Sequence, residues 1–261
     1  MDSNEANSAY CTKRVLSQDA SVAGFDEVQQ EAQTEAQKEA ESRNFAASPI
    51  IMISVGKEKV TYRMHKATLV KKSTFFAKIF ASGMMESQTH EVSLPEDDLE
   101  TFERFASWIY GQDDTESTDD NSKMIMKCWA LADKYGVPMW QDQLITKLMD
   151  HWIPHGIPIC NAAWVLDNVS SETPLSKLAI DRLAWDMRKS PPRYFKDGET
   201  EMVQDLDLLL SRHDFPLSNF LHFALLKPFL DDGYYDPPGS KGCTYHAHGG
   251  DIKCPVANLP G

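Results

Sequence analysis

Four residues near the C-terminal end have side chains suited to holding a soft divalent metal. They are Cys243, His246, His248 and Cys254, spaced C-x2-H-x-H-x5-C. Two thiolates and two imidazoles form the ligand set of a closed structural zinc site. Four protein ligands leave no open coordination position, so a metal here would be structural rather than catalytic. The spacing is not that of a standard zinc finger, and H-x-H is tight for two ligands. The opposing reading is a disordered tail, or a loop docked by Tyr234, Tyr235 and Tyr245.

Other reactive side chains lack the company that chemistry needs. His65 has Lys66 beside it and no partnered nucleophile nearby. Ser73 has no G-x-S-x-G context and reads as a helix cap. His151 and His155 are four apart, but Pro154 lies between them and no H-E-x-x-H pattern is present. Neither G-x-G-x-x-G nor G-x-x-x-x-G-K occurs. These features predict a protein that is not an enzyme.

Composition narrows the partners. The chain has 261 residues, a formal charge of −13 and a pI near 5.0. A surface this acidic repels phosphate backbones, so no direct nucleic-acid contact is expected. No run of about 20 apolar residues is present to cross a membrane. The first residues lack a basic region followed by an apolar run, so the expected location is intracellular, in cytoplasm or nucleus. Five widely spaced cysteines, Cys11, Cys128, Cys160, Cys243 and Cys254, do not suggest a disulfide framework. Cys128 falls in an apolar helical pattern and reads as core.

The elements that must position these residues begin after a distinctive first segment. Residues 1–48 carry 9 acidic and 4 basic side chains, a net of −5. The run EVQQEAQTEAQKEAESR has helix propensity but no apolar face to bury, so this segment is expected to be disordered. From Pro49 the pattern changes. Ile51, Ile53 and Val55 alternate with Met52 and Ser54, a strand period. A turn at Gly56-Lys57-Glu58 leads to Val60, Tyr62 and Met64, completing a hairpin. His65 opens a helical stretch, Ser73 caps a second helix bearing Phe76, Ile79 and Phe80, and Gly83 ends it. Glu91 to Leu94 reads as a strand. A helix starting at Pro95 presents Leu99, Phe102, Phe105 and Ile109. After an acidic loop at 111–123, one helix carries Ile125, Cys128, Trp129 and Ala132. Another starts at Pro138 with Leu144, Ile145, Leu148 and Trp152.

Hairpin, short helices, strand, helix, loop and two helices would alone say only a compact α+β domain. The residues say more. H-K-x-x-L-x-x-x-S-x-x-F runs from His65 through Leu69 and Ser73 to Phe76. Val55-Gly56 precedes this run, and Glu86, HEVSL, FERFASWIY and LADKYGVP follow it in matching order. Over roughly residues 48–152 the chain resembles the BTB/POZ family, in a style similar to its fungal members. The resemblance implies a BTB/POZ fold, a small mixed sheet flanked by helices, with His65, Leu69, Ser73 and Phe76 as its structural signature. It also implies protein partners, either further copies of the chain or other proteins, and often the cullin scaffold of ubiquitin ligases.

Family members that bind cullin tend to carry an apolar residue, any residue, then Glu after the second helix. Met84-Met85-Glu86 matches, which assigns Met84 and Glu86 to the partner surface. Pro49 stands where the family often has an Asp that supports the dimer. A swapped homodimer is therefore not expected, and a dimer through the helical face stays open.

The full expectation is a disordered acidic segment at 1–48, a BTB/POZ domain at 49–152, a helical region at 153–230 and an irregular Cys/His-containing tail at 231–261. The expected function is a protein-interaction module, either a substrate adaptor of a cullin-based ubiquitin ligase or a self-associating or transcription-associated protein without cullin. No cofactor is expected other than structural zinc in the tail.

Overall fold

Alternation along the first strand decides which face meets the core. Ile51, Ile53 and Val55 are fully buried, while Ile50 and Met52 are exposed. The structure, a computed structural model, describes residues 47–83, 85–112, 121–195, 204–221, 224, 242–248 and 254. The apolar periods hold for most of these residues, and β1 (Ile50–Val55) and β2 (Val60–His65) form the expected hairpin around the turn at 56–59. Gly56 sits at φ +71°, where a side chain would be strained.

Three short helices follow: α1 (Lys66–Lys72), α2 (Thr74–Ala81) and α3 (Met85–Thr89). They form the crossover that returns the chain to β3 (Glu91–Leu94), which runs parallel to β1 with Ile53 opposite Val92 and Val55 opposite Leu94. The strand order is β2-β1-β3. His65 closes β2 rather than opening a helix, because the alternating pattern continues through it.

The described residues fall into two contact units. The smaller holds residues 47–49 and 65–67. Within it the Lys66 N–H donates to the Pro49 carbonyl at 2.9 Å, and the Ala67 N–H donates to Ser48 Oγ at 2.8 Å. All other described residues belong to the second unit.

In the second unit, α4 (Leu99–Ile109) starts four residues later than the sequence suggests. Asp98 is the reason. Its carboxylate accepts the Thr101 N–H at 3.2 Å and the Thr101 hydroxyl at 2.6 Å, fixing the cap there. Next come α5 (Ser122–Lys134) and α6 (Pro138–His155). Pro154 does not break α6. It lies in the last turn, where the Gly156 N–H still reaches the Trp152 carbonyl at 2.8 Å. Further along are α7 (Ile159–Asn168), α8 (Pro174–Lys189), a 3-10 turn (Pro191–Arg193), α9 (Gln204–Leu210) and α10 (Leu217–Leu221).

Aromatic side chains fill the centre. Phe76, Phe102, Phe105, Tyr135 and Trp140 are all essentially buried. The Tyr135 ring lies 5.1–6.4 Å from those of Phe76, Phe102 and Phe105. Its hydroxyl donates to Asp97 at 2.7 Å, and Lys134 reaches the other oxygen of the same carboxylate at 2.5 Å. Leu178 and Leu183 of α8 and Val165 of α7 belong to the same buried cluster as Trp152 of α6.

Gly136 joins α5 to α6 at φ +60°, and a Cβ there would lie 2.0 Å from Thr74 Oγ1. Gly136→Ala is expected to destabilise the chain by about 1–3 kcal/mol through the left-handed backbone, plus the collision. Gly83 has φ +70° and open space around it. Urea titration should therefore show a larger loss for Gly136→Ala than for Gly83→Ala. Equal losses would mean that Thr74 moves aside freely.

Candidate functional site

Two places gather the residues singled out by the sequence. The first is the turn after α2. Of the family-signature residues in the second unit, Leu69 and Phe76 are fully buried and Ser73 caps α2. Ser73 Oγ accepts the Phe76 N–H at 3.2 Å and donates to the Tyr135 carbonyl at 2.7 Å. The cap therefore also ties α2 to the α5–α6 turn, and this is why a serine suits the position. His65 is half-buried at the end of β2.

Beyond Gly83, Met84 lies outside the described residues. Met85 is 74% exposed, the highest value among the large exposed apolar side chains of the described residues, and Glu86 beside it is half-buried in the first turn of α3. The sequence pattern passed over Met85 as the variable middle position.

The second place is the Cys/His cluster. Cys243, His246, His248 and Cys254 each offer a ligand atom, and these atoms all lie within 4.8 Å of one another. Helix α6 supplies a support that sequence reading missed. Asp142 is fully buried; its Oδ2 lies 2.5 Å from His248 Nδ1 and its Oδ1 accepts the Ala247 N–H at 2.5 Å. Thr146 lies one turn further on, with Oγ1 3.1 Å from His246 Nε2. Nothing local in the sequence links Asp142 to residues a hundred positions away. The only hint is a carboxylate next to the apolar stripe of α6. Burial holds the His246 imidazole below the ordinary histidine range, against the pull of the Asp142 carboxylate.

Tyr245 is buried and donates its hydroxyl to Asp181 Oδ2 at 2.8 Å, so this tyrosine does dock the loop. Tyr234 and Tyr235 lie outside the described residues. His151 and His155 stack 4.8 Å apart on α6, and His155 Nδ1 is 2.9 Å from the His151 carbonyl. Among the described residues no third ligand joins them.

Residues 51–151 match the BTB/POZ domain family, and the chain carries a BTB/POZ domain over that range. It is also similar to a BTB/POZ domain-containing protein of Arabidopsis thaliana, with 26% identity over 122 residues. That match takes in 46% of this chain and 15% of the relative, so the chain spans only a small part of the curated protein it resembles. The BTB/POZ domain at residues 51–151 supports a protein-interaction module. Among the described residues no helix is long and apolar enough to cross a membrane.

Proposed function

We propose that the chain is a substrate adaptor of a cullin-based ubiquitin ligase. Met84 and Glu86 contact the scaffold, and another surface of the chain holds the target. The reading draws on the BTB/POZ domain and on the apolar-x-Glu triplet that follows α2. The observation that carries it is the exposure of α3: Met85 projects into solvent immediately beside Glu86. An apolar side chain filling a partner pocket, with a carboxylate paired at the rim, suits a small hot spot.

The test is light scattering and calorimetry of the full chain mixed with the N-terminal domain of a cullin. Wild type should form a complex. Met84→Ala and Glu86→Lys should each weaken it by roughly tenfold or more, the loss of about 1.4 kcal/mol or more expected at a hot spot, without changing the urea midpoint. Undiminished binding in both variants sinks the assignment.

A second reading has its own support. Ile50, Met52 and Val60 of the β1–β2 hairpin are large apolar side chains left exposed. They suit a scaffold or transcription-associated protein that pairs with itself and binds no cullin. A free chain that runs as a dimer, and that Met52→Lys converts to a monomer, would favour this reading.

A further inference from the structure

We infer that Cys243, His246, His248 and Cys254 form a tetrahedral structural zinc site that clips the tail to α6 through Asp142 and Thr146. This inference is independent of the cullin reading. Hydrogen-bond bookkeeping fixes the ligand atoms. Thr146 has one hydroxyl proton, and it goes to the Asp142 carbonyl at 2.8 Å. Thr146 Oγ1 must then accept from His246 Nε2 at 3.1 Å, which leaves His246 Nδ1 with its lone pair free. That Nδ1 lies 3.4 Å from Cys254 Sγ. A tetrahedral zinc with Zn–S of about 2.3 Å and Zn–N of about 2.0–2.1 Å sets its sulfur and nitrogen ligands roughly 3.6 Å apart.

The second imidazole is prepared in the same way. The fully buried Asp142 carboxylate accepts from His248 Nδ1 at 2.5 Å, leaving Nε2 unprotonated. The His248 side chain is 7% exposed, and its Nε2 is buried without a hydrogen-bond partner among the described residues. A buried acceptor without a partner is costly, and a metal ion would satisfy it. The carboxylate–histidine–metal arrangement is the usual way a protein orients an imidazole ligand. Each thiol would release a proton to solvent on binding. The two thiolates would then balance the dication, and the two imidazoles would add no charge.

The experiment uses the full chain, purified under reducing conditions with no metal added. Elemental analysis is expected to find one zinc per chain. Cys243→Ser and Cys254→Ser should each carry less than a tenth of that. Asp142→Asn should keep the four ligands but bind zinc about 10–100-fold more weakly in chelator competition. If the cysteine variants fail to fold, cobalt titrated into chelator-stripped wild type decides the matter. A thiolate-to-cobalt charge-transfer band with intense visible bands supports the site. Wild type that holds no zinc and gives no such bands overturns it. So does full zinc content in both cysteine variants, or a Cys243–Cys254 disulfide in reductant-treated protein.

Discussion

Asp186→Ala should cost about 3–5 kcal/mol of folding stability, because it strands a buried cation. Arg182 and Asp186 lie one turn apart on α8, with Nη2 and Oδ1 2.6 Å apart and side chains only 4% and 7% exposed. Arg182 Nη2 also donates to the Ile153 carbonyl at 3.0 Å, while its Nε and Nη1 are buried without hydrogen-bond partners among the described residues. The guanidinium therefore depends on Asp186 for compensation. The same carboxylate accepts the Ile157 N–H at 2.7 Å, just past the end of α6. Burial first, then the Asp186 charge, pushes the Tyr194 hydroxyl up to about 12. Removing Asp186 thus loosens both the α6–α7 junction and α8.

The pair itself need not be stabilising on balance, since an apolar replacement of both partners is often neutral or better. The double substitution Arg182→Met with Asp186→Leu should accordingly recover most of what Asp186→Ala loses. Urea titration of the two single variants and the double gives the coupling directly. A loss below about 1 kcal/mol for Asp186→Ala would mean that water reaches the guanidinium.

The BTB/POZ half of the fold was legible because its signals are local. Strand alternation marks β1 by Ile51, Ile53 and Val55; Ser73 marks the start of α2; Gly136 followed by Pro138 marks the α5–α6 turn. Boundaries moved where side-chain chemistry outweighed periodicity, as when the Asp98 cap shifted the start of α4 from Pro95 to Leu99. The Arg182–Asp186 pair could not be read from sequence. An i,i+4 Arg–Asp pair usually lies on a solvated helix face, and burial of α8 nearly all round comes from its neighbours. The four Cys/His ligands were visible as a set. Their supports, Asp142 and Thr146, were not, because only folding brings positions 142 and 248 together. Residues 1–46, most of the acidic loop and most of the tail lie outside the described residues.

Phe76→Ala should be the most damaging truncation in the family signature, at about 3–5 kcal/mol. Phe76 is fully buried, with ring centroids 5.1 Å from Phe75, 5.3 Å from Tyr135, 6.2 Å from Phe105 and 6.4 Å from Phe80. Rings from α2, α4 and the end of α5 surround it, so no single helix can shift to fill the space. Phe75 is half-buried and stacks on Tyr135 at 5.2 Å. Phe75→Ala should therefore cost clearly less, and a reversed order would mean that the Phe76 cavity collapses. The Phe76–Tyr135 pair should show a coupling of about 0.5–1.5 kcal/mol in a double-mutant cycle. The comparison also separates folding from binding. Any partner bound through the BTB/POZ domain should be lost from Phe76→Ala in proportion to the unfolded fraction. Glu86→Lys should lose a cullin partner while its urea midpoint stays at the wild-type value, because the side chain it replaces lies outside the aromatic core.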